Sequence, residues 1–233
     1  LRKNNLGLDL IDNMFNIKAL SLKLYLYYYH NKLIKMMSQL PLESIRTQVR
    51  ACIKCAADLP LGAKPIFQFH PAAKLLIVGQ APGTHAHHTG IPFNDASGER
   101  LRTWLEMDKD CFYDARKVAI IPMGLCYPGR LPQGGDSPPR PGCAPQWHNF
   151  FLNLLPHRQL TLLIGRYAQC YYLQDRIKKT VTETVYCWQD YLPTYFPLPH
   201  PSWRTKAWCR QNSWFEGMVL PELRQRIKQI LSA

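Results

Sequence analysis

Three groups of residues in this chain are of types and spacings that do chemistry. The first is Gly79-Gln80-Ala81-Pro82-Gly83-Thr84-His85-Ala86-His87-His88-Thr89-Gly90-Ile91-Pro92-Phe93, which follows the apolar run Lys74-Leu75-Leu76-Ile77-Val78. An apolar run closed by glycine reads as a buried strand ending in a loop. Glycine and proline then give a tight turn in which backbone can approach a ligand. The second group is His200-Pro201-Ser202, after the short run Tyr195-Phe196-Pro197-Leu198. The third is Cys52-Ile53-Lys54-Cys55 together with Cys126 and Cys143, which bracket a loop rich in proline and glycine. Four thiolates from distant segments suit a tetrahedral metal or a four-iron cluster. A redox CxxC is the weaker alternative, since no strand leads into Cys52 as that chemistry requires. Cys111, Cys170, Cys187 and Cys209 fall in or beside helical segments and read as packing residues.

These groups need a scaffold that brings them to one place. Strands are expected at about 74–79, 117–121, 160–165 and 195–198. Helices are expected at 43–51, 97–107, 147–155, 166–174 and 183–190. A last helix, with Pro221 as a kink or restart, is expected to bury Trp214, Phe215, Met218, Val219, Leu223, Ile227 and Ile230. Apolar strands alternating with helices imply an α/β fold, a three-layer α/β/α domain around a central four-stranded parallel sheet. Loops that follow parallel strands gather at one sheet edge, where such folds place their sites. Residues 127–145 are expected to form a long ordered loop or lid.

The chain has 233 residues, enough for one such domain, and a formal net charge of +13. That charge predicts affinity for polyanions, nucleic acid above all. No apolar run approaches the roughly 18–20 residues of a membrane helix. Residues 1–37 carry six Lys/Arg and two Asp/Glu, which leaves the remainder at +9. They have neither a continuous apolar core nor a small-residue cleavage site, so they do not read as a secretory signal. We read 1–37 as an N-terminal extension, with translation naturally starting at Met36-Met37, and 38–233 as the domain. Without export, a cytoplasmic location and reduced thiols are expected.

Over residues 45–231 the sequence resembles the uracil-DNA glycosylase superfamily, and within it the family-4 iron–sulfur branch. The resemblance rests on Gly79, Ala81, Pro82, Gly83, Gly90, Pro92 and Phe93 at unbroken spacing, on the ordered cysteines, and on the late His200-Pro201-Ser202. It implies a uracil-DNA glycosylase-like fold and a monofunctional DNA glycosylase acting in base excision repair. Its substrate would be DNA carrying uracil or another deaminated base, extruded into a pocket. It also implies a 4Fe-4S cluster, with zinc as the alternative, on Cys52, Cys55, Cys126 and Cys143. Phe93 would stack on the flipped base beside Ala81, and His200 would hydrogen-bond the base oxygen as charge develops. Gly83 and Ser202 would contact phosphate, and Trp203 and Arg204 would wedge and clamp the DNA. A monomer without obligate protein partner or membrane is expected. Lys206 is the lysine near this loop and carries no mark of activation, so strand cleavage through a Schiff base is not expected.

Three departures bear on the chemistry. Gln80 stands where the family has its water-activating glutamate, His87 replaces a family aspartate, and Pro122 occupies the place of the uracil-reading asparagine. Asp95 and Asn94 are then the substitutes: Asp95 to orient water or stabilise the cationic sugar, Asn94 to read a base edge. Asp95 reads equally well as a helix N-cap. Gln80 stays in the candidate catalytic set by position. His85, His87 and His88 form a cluster suited to phosphate contact. The alternative reading of the chain is a cluster-stabilised nucleic-acid-binding protein with little or no excision activity.

Overall fold

Four short apolar runs form the sheet. A computed structural model of the chain describes residues 41–232, so the extension expected at 1–37 lies outside the described residues. The chain divides into two units at Ile45/Arg46. Of the first unit only residues 41–45 are described, and they begin helix α1 (Leu42–Arg50). All that follows concerns the second unit.

The strands are β1 (Leu75–Val78), β2 (Val118–Ile120), β3 (Leu160–Ile164) and β4 (Tyr195–Leu198), all parallel, in the order β2-β1-β3-β4. Leu75 sits opposite both Val118 and Leu160, and Thr161 opposite Tyr195. Every residue of β1, β2 and β3 is buried, as a parallel sheet covered on both faces requires. Alternation sends Leu75, Ile77, Leu162, Ile164, Phe196 and Leu198 to the face packed by Trp104, Phe112, Trp188, Phe215 and Leu223. The result is the expected three-layer α/β/α arrangement.

The connecting helices are α2 (Thr84–Thr89), α3 (Ala96–Leu105), α4 (Lys109–Tyr113), α5 (Cys143–Asn153), α6 (Arg166–Leu173), α7 (Val181–Tyr186), α8 (Thr205–Gln211) and α9 (Leu220–Ser232). The expected helix at 183–190 is two pieces, α7 and a 3-10 turn at Trp188–Tyr191. The capping box of Thr180 and Glu183 moves its start to Val181. The final helix is broken as expected: a π-turn over Phe215–Val219 precedes α9, which has Pro221 in its first turn. Met218, expected inside, is exposed, because the π-turn rotates it off the apolar face. Cys170 is likewise exposed rather than packed, whereas Cys111 and Cys209 lie against the core. The short helices α2, α4 and α8 had no periodicity long enough to be read from sequence.

One turn is over-determined. Phe93 has φ +54, a left-handed conformation that costs a non-glycine residue about 1–2 kcal/mol. Its carbonyl accepts from Tyr113 Oη at 3.1 Å and Arg102 Nη1 at 3.4 Å. Gly98 lies so close that a Cβ there would stand 1.7 Å from the same oxygen. Behind the sheet edge, buried His148 bridges two elements. Its Nε2 is 3.0 Å from the Pro122 carbonyl, which can only accept. Nε2 therefore carries the proton, and Nδ1 accepts from Tyr172 Oη at 2.6 Å. Burial holds the His148 pKa down to about 4.

Two outcomes follow from this packing. Gly98→Ala must displace the Phe93 backbone and should cost at least about 3 kcal/mol in denaturant unfolding. His148 is neutral when folded and protonates near 6.5 when unfolded. Its contribution is whole above pH 6.5 and is lost as pH falls toward 4, up to about 3 kcal/mol. His148→Gln, which keeps a donor for Pro122, should flatten that part of the stability–pH curve.

Candidate active site

In the order β2-β1-β3-β4 the chain leaves β1 in one direction and β3 in the other, so the C-terminal ends of β1 and β3 flank a switch point. A cleft opens there. It encloses about 510 Å³ including its mouth and is lined by Gly79, Gln80, Ala81, Pro82, Gly83, Pro92, Phe93, Asp95, Ser97, Pro122, Asp136 and His200. Most of the candidate residues thus meet as expected.

Phe93 is half-buried. One edge meets Phe112 of the core, with ring centroids 6.4 Å apart, and its Cζ would be 3.0 Å from a Cβ on Gly79. Glycine at position 79 is what lets the ring lie over the end of β1. Asp95 caps a helix and also reaches the cleft. Its Oδ1 accepts from Gly98 N–H at 2.8 Å as the N-cap of α3, while Oδ2 faces Gly83 in the cleft. His200 hangs from the end of β4. Gln169, fully buried, donates from Nε2 to the Leu198 carbonyl at 2.9 Å and so anchors that end. The His200 carbonyl accepts from Ser202 N–H at 2.8 Å and from Thr205 Oγ1. Burial holds the His200 pKa below its usual 6.5, with Asp95 pulling the other way. The ring is therefore neutral at pH 7 and presents one N–H.

Gln80 lines the cleft and also reaches across to the loop. Its Nε2 donates to the Ser137 carbonyl at 2.9 Å and to the Asp136 carbonyl at 3.4 Å, fastening the Pro/Gly loop over the cleft. That loop is a tight ribbon: Arg130 pairs with Asp136, and Ser137 N–H donates to the Gly129 carbonyl at 2.9 Å. Asn94 is not in the cleft. It lines a separate groove with Arg50, Phe67, Lys109 and Tyr113, because the left-handed turn at Phe93 points consecutive side chains to different sides. His87 is buried with its ring 6.1 Å from Tyr127, while His85 and His88 are exposed on α2.

The cleft continues into an open groove of about 1070 Å³ formed by Arg130, Gly134, Gly135, Ser202, Trp203 and Arg204 beside Gln80 and His200. Trp203 is 75% exposed and Arg204 lies over its ring at 5.4 Å. An exposed Trp–Arg pair at the mouth of a cleft offers a flat apolar face and a fixed cation. The Ser202 carbonyl is held by the guanidinium of Arg100. Sequence reasoning missed Asp136, Arg130 and Arg100. Asp136 did leave a trace, being the sole acid between Cys126 and Cys143.

The four cysteines form a second centre. Cys52 follows α1, Cys55 caps a 3-10 turn at Ala56–Asp58, Cys126 follows β2 and Cys143 opens α5. All four line one largely apolar cavity of about 370 Å³ with Leu59, Pro65, Leu125 and Trp147. Cys143 Sγ accepts from Leu125 N–H at 3.3 Å, and Cys126 takes a backbone bond from Lys64. Burial and the neighbouring thiols push Cys126 and Cys143 up to about 11. Among the described residues no three Cys, His, Asp or Glu side chains converge closely enough to grip one ion. Four sulfurs spaced around an apolar void, two of them receiving N–H bonds, fit a multi-atom cluster as a donor set.

Among the described residues no helix is long and apolar enough to cross a membrane. The family model described as Uracil DNA glycosylase superfamily matches residues 66–224, a span that runs from before β1 into α9 and takes in the whole cleft. With that match over more than half its length, the chain belongs to the uracil DNA glycosylase superfamily.

Proposed function

We propose that this chain is a monofunctional DNA glycosylase that excises uracil or another deaminated base from DNA. The observation that carries the reading is the meeting of Phe93, Asp95 and His200 in one cleft at the β1/β3 switch point, in a chain of this superfamily. Cleaving the glycosidic bond leaves positive charge on the sugar and negative charge on the base. The neutral His200 ring donates its N–H to the base oxygen as that charge grows. The Asp95 carboxylate, fixed by its capping bond, faces the cationic sugar. Phe93 stacks on the flipped base, its backbone locked by Tyr113 and Arg102. With Pro122 in the wall, no amide side chain meets the base there. Selection then falls to pocket shape, His200 and backbone groups. Trp203 and Arg204 engage the opened duplex, and the +13 charge favours encounter with it.

Cys52, Cys55, Cys126 and Cys143 hold a 4Fe-4S cluster in this reading. Such a group supplies a structural staple between the segment after α1 and the Pro/Gly loop. It takes no part in base release.

The test is a panel of oligonucleotides carrying uracil, hypoxanthine or xanthine, incubated with metal-replete protein. We expect an abasic site without strand cleavage from at least one substrate. His200→Ala and Asp95→Ala should each slow single-turnover release at least about tenfold, roughly 1.4 kcal/mol of barrier. Tight DNA binding with no abasic product would favour the binding-protein alternative. Anaerobically purified protein should be brown with four irons per chain, and Cys143→Ala should lose the colour. Stoichiometric zinc in colourless protein would replace the cluster by an ion.

A further inference from the structure

The cleft holds a second carboxylate that the superfamily reading leaves without a task. Asp136 lies on the Pro/Gly loop, exposed on the cleft wall of the free chain. A Cβ built on Gly83 would stand 3.6 Å from Asp95 Oδ2 and 3.8 Å from Asp136 Oδ2. The two carboxylates therefore aim at one point above Gly83, beside Phe93 and His200. The space at that point exists because residue 83 has no side chain. Resting on the glycosylase reading, we propose that Asp136 is the catalytic base that takes a proton from the attacking water, which sits above Gly83 between the two acids.

The two environments divide the labour. Asp95 accepts a backbone N–H on Oδ1 and turns Oδ2 to the cleft. Asp136 gets no such bond to its carboxylate among the described residues. Desolvation raises its affinity for a proton, Arg130 opposes this and Asp95 adds to it. Two acids in such unlike surroundings can divide into one that faces developing charge and one that moves a proton. Gln80 is a positioning residue: its amide holds the loop by the backbone carbonyls of Asp136 and Ser137 and leaves the Asp136 carboxylate free. In the step itself the water oxygen bonds to the sugar C1′ as the C1′–N bond breaks. The base leaves with the bonding pair, its oxygen held by His200. The water proton goes to Asp136 and later to solvent, which also protonates the base.

The experiment compares wild type, Asp136→Asn and Gly83→Ala in single-turnover base release across pH 5–9, with anisotropy on DNA carrying a stable abasic analogue. Asp136→Asn keeps the Gln80 bonds, which go to backbone. Gly83 has φ −78, so alanine fits its backbone, and the methyl fills the water position at ordinary contact distance. Asp136→Asn should bind the analogue within about twofold of wild type, and both variants should release base about a hundredfold more slowly. Wild-type rate should fall as acid protonates Asp136, and Asp136→Asn should lose that limb. The charged and titratable groups that face Asp136 are Arg130 on its own loop, Asp95, His200 and Arg204, so His200→Gln serves as the control for the imidazole. Release by Asp136→Asn within about threefold of wild type, or with the acid limb intact, overturns the assignment and leaves the glycosylase reading standing. No base release by wild type from any substrate overturns both.

Discussion

One backbone carbonyl, that of Phe93, carries more of the site than any side chain. Tyr113 and Arg102 donate to it, and Gly98 makes room for it. Together they hold Phe93 at positive φ. With the turn fixed, the Phe93 ring lies over Gly79 at the end of β1, and Asp95 lands at the N-cap of α3 with one oxygen left for the cleft. The strain is local and the elements that resist it, α3 and α4, belong to the main core. A ring set in this way loses little entropy when a ligand meets it.

The second organising element is the clasp of Gln80 on the Pro/Gly loop. An amide can donate to two carbonyls; a carboxylate in the same place would face them with lone pairs only. Gln80 and the acid at Asp136 thus belong to one arrangement. Gln80 holds the loop that presents the Asp136 carboxylate to the cleft. Two of the four cysteines flank the same loop, Cys126 before it and Cys143 after it, so a bound cluster would fix the length of chain that Gln80 fastens.

Much of this was legible in the residues. The apolar runs at 75–78, 118–120, 160–164 and 195–198 were strands because three to five buried positions bounded by glycine or proline leave little else. Gly79 to Phe93 and His200 met because parallel strands end on one side. The spaced cysteines met in one cavity. Other features depend on tertiary geometry that spacing does not carry. Asn94 left the cleft because a positive φ at Phe93 reverses the expected facing of its neighbour. Gln80 turned outward to the loop because carbonyls 57 positions away came within reach. Met218 came to the surface because a π-turn inserts a residue into the helical period. Asp136 lies in a ribbon of glycine and proline with no periodicity from which its facing could be read.

The central claim is that this cleft breaks a glycosidic bond, and the most direct measurement is chromatographic detection of the free base after one turnover by the metal-replete wild-type protein. The account predicts free base in equal amount to alkali-labile strand, with the strand intact before alkali. DNA bound at the same protein concentration with no free base would contradict it.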